Sequence, residues 1–183
     1  MKNAFEQTTA VEERIMPSAV AAVEKALQCE IILIENPIFQ KIWGDGIACS
    51  ASWMRGIDFK NRPQTYAPHE MLVEIYSNRS RRTLGWGPAS NAMLVAEYRA
   101  DSNNLVITHN LKDWLNRREE IIEQWTVGDQ TRIIDTTIRI GEKDYKLMKQ
   151  EKTIQMNDTW FIVVPTSDLL DAGLLVYEYP PAV

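Results

Sequence analysis

The sequence is poor in the residues on which several kinds of site depend. It has two cysteines, Cys29 and Cys49, and two histidines, His69 and His109. A disulfide scaffold or a structural zinc site needs more of these residues, so we expect two reduced thiols. Neither histidine shows the paired pattern of two-histidine phosphoesterases, and we expect both to be structural or solvated. Cys49 is predicted to be a small buried residue of a strand rather than a nucleophile.

Glycine-rich loops and long apolar runs are also missing. The glycines at 44, 46, 85 and 87 do not form the phosphate-binding loop that precedes a helix, so nucleoside triphosphate binding is not expected. No apolar run approaches the roughly 20 residues that span a bilayer, and we expect no membrane partner. The first residues lack the basic-then-apolar order of a secretory signal. We therefore expect a cytoplasmic protein.

Charge is distributed unevenly along the chain. The net charge of −5 argues against a protein that coats nucleic acid through bulk attraction. Six basic residues nevertheless fall within one short segment: Arg55, Lys60, Arg62, Arg79, Arg81 and Arg82. A basic rim around a phosphate-binding site has this composition, and so does a solvated loop.

The pattern of apolar residues predicts a mixed fold. Helices are predicted at 8–28, with Thr8 or Thr9 as N-cap and a kink or break at Pro17, at 111–125 and at 167–170. Strands are predicted at 29–35, 38–43, 47–50, 53–59, 71–76, 92–98, 105–109, 132–140, 145–148, 160–164 and 174–179, and a loop at 63–68. This order indicates an α/β (α+β) class. We expect one domain over residues 1–183, with a core at about 8–125 and a β-rich C-terminal part at about 126–183.

Two carboxylates and a lysine are predicted to converge near residue 58. On a strand, Asp58 and Lys60 share one face, while Ile57 and Phe59 point to the other. Asp45 follows a β-like run and a glycine, and a hairpin would place it beside Asp58. A second Asp-x-Lys triplet, Asp144-Tyr145-Lys146, follows a polar turn and is better explained as a solvated turn. Two carboxylates and a substrate phosphate can hold Mg²⁺, which keeps several water ligands.

This order of motifs resembles the PD-(D/E)XK, or restriction-endonuclease-like, nuclease superfamily and in particular its small phage-type members. The resemblance covers residues 12–118, and it depends on the order of short motifs. They are a helix with a Glu, Gly44-Asp45, Ile57-Asp58-Phe59-Lys60, Glu74, Gly85-Trp86, the strand 92–98 and Leu111-Lys112-Asp113-Trp114. The chain departs from the family pattern at Gly44, where proline is usual, and at Asn91, where an acid is usual.

The resemblance implies a central mixed sheet flanked by helices, with a β-rich C-terminal extension, and it assigns roles to particular residues. Asp45 and Asp58 would be ligands of Mg²⁺ or Mn²⁺, and Lys60 would be the catalytic lysine. A helical glutamate would complete the catalytic and metal-binding set, and Glu13 is favoured over the alternatives Glu12 and Glu24. Glu74 would be an acid outside the ligand shell. The implied activity is hydrolysis of DNA phosphodiester bonds.

The implied partner is DNA, with phosphates held by Arg62, Arg79, Arg81 and Arg82. Nucleases of this size often act on two strands as homodimers. Trp86 could stack on a base, although packing under a loop is the more common role. The alternative hypothesis is a catalytically silent nuclease-fold protein of phage type that acts by binding a protein, as an inhibitor of a host defence system or an assembly component.

Overall fold

A computed structural model describes residues 4–62, 69–127, 130–149 and 158–180. The loop predicted at 63–68 and the side chain of Glu12 lie outside the described part. Within it the chain forms five helices and sheets of six, four and three strands, which confirms the mixed α+β class. No described helix combines the length and the apolar character needed to cross a membrane.

The elements follow one another along the chain as five helices and thirteen strands within the described residues. The helices are α1 (Ala4–Leu27), α2 (Pro37–Trp43), α3 (Trp86–Ala89), α4 (Leu111–Leu115) and α5 (Thr166–Asp171). The strands are β1 (Glu30–Leu33), β2 (Gly46–Cys49), β3 (Met54–Arg62), β4 (Glu70–Asn78), β5 (Thr83–Leu84), β6 (Leu94–Arg99), β7 (Asn104–His109), β8 (Glu119–Val127), β9 (Gln130–Ile140), β10 (Lys143–Lys146), β11 (Met148–Lys149), β12 (Trp160–Pro165) and β13 (Leu175–Tyr179).

The chain divides into two compact units. The first comprises Met1–Met71, Ser90–Leu111 and Pro165–Val183, and it holds the six-stranded sheet in the order β1-β2-β3-β6-β7-β13. All neighbouring strands of this sheet are antiparallel except β3 and β6, which are parallel. The second unit comprises Leu72–Ala89 and Lys112–Val164. It contains the sheet β10-β9-β8 and most of the sheet β11-β12-β4-β5.

The first helix runs without a break through Pro17. It begins by Ala4, so Thr8 and Thr9 lie inside it and the predicted N-cap is wrong. Proline removes one backbone donor from the helical ladder, but packing of an apolar stripe can maintain a helix in spite of that loss. Ile15, Ala19 and Val23 form such a stripe and are buried against the six-stranded sheet.

Residues 38–43 form helix α2 rather than the predicted strand. The Asn36 side chain accepts a hydrogen bond from the Ile38 N–H at 2.9 Å, and Pro37 occupies the first turn. Asparagine at the N-cap and proline directly after it are signals of a helix start, and they explain why this segment is a helix. Asn36-Pro37 is therefore the sequence feature that indicates the start of α2.

The helix predicted at 111–125 ends at Leu115, a turn follows, and strand β8 begins at Glu119. Ile122 and Trp125, which were predicted to face inward, are exposed. β8 pairs with β9 over its whole length, with Glu119 opposite Arg139. Cross-strand pairing of β-branched residues and opposite charges decides the structure here over an apolar spacing that also fits a helix.

The two faces of β3 separate the core from the polar face of the sheet. Ile57 and Phe59 pack with α1 residues and with β6 and β7 residues in the core of the first unit. Asp58 and Lys60 alternate with them, so they lie on the opposite face. Ile57, Asp58 and Phe59 pair with Leu94, Val95 and Ala96 of β6. The prediction that Asp58 and Lys60 share a strand face is therefore confirmed.

We expect Gly56→Ala to destabilise the protein, because a Cβ there would lie 2.2 Å from the carbonyl oxygen of Trp43 at the end of α2. Overpacking of this kind costs about 1–3 kcal/mol in free energy of unfolding, measured by urea denaturation. Gly46→Ala is the control, because its nearest contact is 3.1 Å and its cost should be smaller. Equal stability of Gly56→Ala and the wild type would contradict the close packing of α2 on β3.

Candidate active site

The position of Asp45 is set by the residues that precede it. Helix α2 ends at Trp43, and Gly44 follows with a φ of 86°, in the left-handed region that favours glycine. A Cβ at Gly44 would lie 2.6 Å from the carbonyl oxygen of Ile57, so glycine allows the backbone to approach β3 closely. Asp45 Oδ2 then accepts a hydrogen bond from the Phe59 N–H at 2.8 Å.

Asp45 and Asp58 form a carboxyl pair. Asp58 is buried, and its carboxyl group lies close enough to Asp45 to act on the pKa of that residue. An acid beside a second acid ionises less readily than an isolated one. Burial, followed by the charge of Asp58, raises the pKa of Asp45 to about 6, although the charge of Lys60 and the Phe59 N–H act in the opposite direction. The pair therefore holds one proton more firmly than isolated carboxyl groups would.

Lys60 completes the cluster. Its Nζ lies 3.1 Å from Asp58 Oδ2, and its side chain is 21% exposed while that of Asp58 is 12% exposed. The Lys60 side chain is therefore more exposed than that of Asp58. The structure thus brings together three of the four residues predicted to be catalytic, Asp45, Asp58 and Lys60.

The helical glutamates do not join this cluster among the described residues. Glu13 is exposed on α1, and Glu24 Oε1 accepts a hydrogen bond from the Ile31 N–H at 3.0 Å. No group of three His, Cys, Asp or Glu side chains in the described part of the chain is arranged to hold a metal ion. Among the residues that the structure describes, Asp45 and Asp58 are the acidic side chains of this cluster.

A buried ionic cluster lies on the same face of the sheet, next to Lys60. Glu97 pairs with Lys60 in the register between β6 and β3, and its side chain is fully buried. Arg99 donates to Glu97 Oε1 from Nε at 2.9 Å and from Nη2 at 2.8 Å. Arg62 Nε lies 3.3 Å from Glu97 Oε2. Sequence reasoning missed Glu97 and Arg99; the signal was two charged residues, two positions apart, in the otherwise apolar strand 94–99.

The other predicted DNA-binding arginines belong to the second unit, and they differ in environment. Arg79 forms an ion pair with Glu120, donates to Thr136 Oγ1 at 3.0 Å and packs over the Trp160 ring. Arg81 and Arg82 are exposed on the following turn. Arg79 is therefore held by other residues of the second unit, whereas Arg81 and Arg82 are exposed to solvent.

The turn that carries these arginines is anchored by Asp158. Its Oδ2 accepts hydrogen bonds from the Ser80 N–H at 2.7 Å and from the Ser80 hydroxyl. Its Oδ1 accepts from the Trp160 ring N–H at 2.8 Å. The side-chain hydrogen bonds from Ser80 and then Trp160 lower the pKa of Asp158 to about 2. The turn is therefore a fixed element of the second unit.

Most of the other residues singled out in the sequence analysis contact neighbouring residues of the protein. His69 Nδ1 lies 2.9 Å from Glu178 Oε1, and His109 Nε2 lies 2.7 Å from the carbonyl oxygen of Gly173. Both cysteines are free thiols, as predicted, and Cys49 is half-buried rather than buried. Asn91, at the position where the resemblance calls for an acid, donates to the carbonyl oxygen of Lys41 at 2.8 Å. In the second unit, Glu74 lies on β4 and Trp86 begins α3.

Comparisons with known proteins give no relative. The chain matches no protein-family profile, no curated protein sequence and no solved structure.

We expect stability to fall as pH rises from about 4 to about 6, because the folded protein retains the Asp45 proton that the unfolded chain loses. Asp45→Asn keeps a donor for Asp58 and an acceptor for Phe59 without the ionisable proton. The free energy of unfolding of this variant should equal that of the wild type at pH 4 and exceed it at pH 8, by up to about 3 kcal/mol. Urea denaturation in the presence of EDTA measures both differences.

Asp144→Asn is the control for this pH dependence. The hydrogen bond from Arg139 lowers the pKa of the exposed Asp144 carboxyl, so its contribution to stability is present at neutral pH and is lost on acidification. Asp144→Asn should therefore lower the free energy of unfolding more at pH 8 than at pH 3. This trend is opposite to the one expected for Asp45→Asn. A loss of stability for Asp45→Asn at pH 8 would contradict the raised pKa of Asp45.

Proposed function

We propose that the protein is a metal-dependent nuclease that hydrolyses DNA phosphodiester bonds, with a restriction-endonuclease-like core. The observation that carries this proposal is the cluster of Asp45, Asp58 and Lys60 on the polar face of β3. The first unit supports the proposal with a mixed sheet, in which β1, β2 and β3 are antiparallel and β6 is parallel to β3, and with helix α1 packed on that sheet. The segment between the parallel strands β3 and β6 contains β4, β5 and α3. Parallel neighbours are more often connected by a single α-helix.

The carboxyl pair is a suitable site for a hard divalent cation. Two neighbouring carboxyl groups present oxygen ligands in close proximity, and a cation would replace the proton that the raised pKa of Asp45 retains. Mg²⁺ or Mn²⁺ would be held by Asp45 and Asp58, with water and substrate oxygens completing the coordination. A bound cation of this kind activates water and stabilises negative charge on a phosphoryl group. Two carboxylates suffice for this purpose, so the proposal does not depend on Glu13.

The role of Lys60 follows from its position. Its ammonium group contacts Asp58 and is partly exposed, so it can also reach a water molecule or a phosphate oxygen beside the carboxyl pair. A lysine in this place orients the attacking water and stabilises the charge that develops on the phosphate. A neutral side chain at this position would lack the positive charge of the ammonium group.

DNA phosphates would be bound by basic residues, which are described for each unit by itself. Arg62 lies on the same strand face as Lys60, and Arg81 and Arg82 are exposed on an anchored turn. Arginine and lysine side chains supply most of the phosphate contacts in protein–DNA complexes. A homodimer would bring two sites to the two strands of a duplex.

A second candidate function is protein binding by a catalytically silent nuclease fold. Helix α2 has no buried residue, and it exposes Ile38, Phe39 and Ile42. On β1, the edge strand of the sheet, Ile32 and Leu33 are also exposed. Apolar surface of this extent is typical of interaction sites. In this case Asp58→Ala and Lys60→Ala would leave the function intact.

The first test is cleavage of plasmid, linear and branched DNA with Mg²⁺ or Mn²⁺, comparing the wild type with Asp58→Ala and Lys60→Ala. We expect both substitutions to reduce the cleavage rate at least about 100-fold, because each removes a group that acts on the reacting phosphate. Gel analysis of nicked and linear products measures the rate.

Lys146→Ala is the matched control. Lys146 belongs to the second Asp-x-Lys triplet, is exposed and pairs with Asp135 at 3.0 Å. Its removal should leave cleavage unchanged. Absence of metal-dependent cleavage by the folded wild-type protein on all three substrates would reject the nuclease and favour the protein-binding function.

A further inference from the structure

Helix α2 presents an apolar side to solvent. Six of its seven residues are exposed, and Trp43 is half-buried. Ile38, Phe39 and Ile42 are 53–70% exposed, and they lie on one side of the helix because residues three and four apart are neighbours there. An isolated helix shorter than about 12–15 residues is marginal in water, so a helix of this length depends on packing. The apolar side of α2 is therefore suited to packing against another molecule.

Two further exposed apolar side chains lie on the face of the sheet that α2 covers. A Cβ at Gly56 would lie 2.2 Å from the carbonyl oxygen of Trp43, so the end of α2 lies over Gly56. Ile32, Ile47 and Gly56 are direct neighbours across β1, β2 and β3, and they share this face. Met54 lies two residues before Gly56 and points the same way. The α2 patch is defined by the five exposed side chains, Ile32, Ile38, Phe39, Ile42 and Met54.

The α2 patch has the size that a dimer interface needs. Its five residues are 52–70% exposed, and together they expose on the order of 500 Å² of apolar surface, an extent that marks interaction sites. A standard interface covers about 800 Å² on each partner, and in homodimers about 65% of that area is apolar. The patch therefore supplies the apolar part of one such interface.

The charge of the patch suits a second copy of the same chain. A twofold interface brings the same surface of both copies together, so charges of one sign would repel each other. Residues 31–43 supply four of the five patch residues, and their only charged residues are Glu35 and Lys41, which have opposite signs. The whole chain, in contrast, has a net charge of −5, which opposes self-association in general.

The edge of the sheet beside the patch is less suited to joining two copies. β1 is an edge strand, and such strands can pair with a strand of another molecule. The Ile31 N–H, however, already donates to Glu24 Oε1 of α1 at 3.0 Å. A strand added at this edge would have to displace that carboxylate. The side chains of the α2 patch are therefore the favoured contact between copies.

We propose that the protein forms a twofold homodimer through the α2 patch, with Phe39 and Ile42 of each copy at the centre of the interface. Aromatic residues are enriched in the cores of interfaces, and Phe39 is the aromatic side chain of the patch. Asp45 follows α2 by two residues, so the interface lies beside the candidate active site. Action of the two sites on the two strands of a duplex rests on the proposed nuclease function, whereas the interface itself does not.

The test is analytical ultracentrifugation of the full chain, in EDTA and without DNA, from about 1 to about 100 µM. The wild type should change from a monomer of 21.0 kDa to a dimer within this range. Phe39→Gln and Ile42→Gln should each raise the dimer Kd at least about 10-fold, because a twofold interface contains each residue twice. Glutamine favours a helix at least as well as the residues that it replaces, so both variants retain α2.

Leu170→Gln is the matched control, because Leu170 is 62% exposed on α5, a short helix of the first unit outside the patch. This substitution should leave the dimer Kd unchanged. Thermal melts of all three variants at low concentration check that each remains folded.

Hydrogen exchange locates the interface in the wild type without a substitution. The Gln40 N–H donates to the Asn36 carbonyl oxygen at 3.0 Å, and the Gly44 N–H donates to the Gln40 carbonyl oxygen at 2.9 Å. Both amides should exchange more slowly at high than at low protein concentration, because the dimer covers α2. The Ala172 N–H, which donates to the Asp168 carbonyl oxygen at the end of α5, should exchange at the same rate at both concentrations.

The outcomes separate this proposal from the nuclease. A wild type that stays monomeric over the whole range overturns the homodimer, even if Phe39→Gln lowers affinity for DNA or for another protein. A dimer whose Kd is unchanged in folded Phe39→Gln and Ile42→Gln overturns the α2 interface. A dimer that both substitutions weaken, in a protein that cuts no DNA, retains the interface and rejects the nuclease. Cleavage that depends on Lys60 in a monomeric protein retains the nuclease and rejects the interface.

Discussion

The close approach of two backbone segments at Gly44 and Gly56 determines the geometry of the candidate site. A side chain at either position would overlap backbone atoms of Ile57 or Trp43. Without that approach, Asp45 would not reach the Phe59 N–H, and the carboxyl pair with Asp58 would not form. The site thus depends on the absence of side chains at two positions as much as on the charged residues themselves.

The polar face of the first unit combines two kinds of electrostatic arrangement. At Asp45 and Asp58, two acids lie side by side, and burial together with the charge of Asp58 raises the pKa of Asp45. At Glu97, one acid is enclosed by two arginines and is saturated. The ionisation of the first arrangement can change, whereas the charges of the second are already paired. Asp58 and the partner of Glu97 in the register, Lys60, lie two positions apart on β3. Reactive groups beside a rigid support are what catalysis by positioning requires.

The sequence was sufficient to predict Asp45, Asp58 and Lys60 as neighbours, because strand alternation and one hairpin decide their placement. It was insufficient for the Glu97 cluster, because the two charged residues of strand 94–99 do not indicate that Arg62, on the neighbouring strand β3, also contacts Glu97. The predicted helix 111–125 is correct for Leu111–Leu115 and wrong for residues 119–125, because their apolar spacing also fits a helix and their pairing with β9 is a long-range contact. Residues 38–43 were predicted to be extended, although Asn36-Pro37 is a signal of a helix start.

The six-stranded sheet is assembled from three separate stretches of the chain. Its last strand, β13, pairs with β7, and more than half of the residues between these two strands belong to the second unit. During synthesis, β7 therefore leaves the ribosome with an unpaired edge that has to wait for the whole second unit to be made. An unpaired apolar edge is a site of aggregation while it persists. The time for which this edge stays unpaired is therefore set by the synthesis of residues 110–174, which separate β7 from β13.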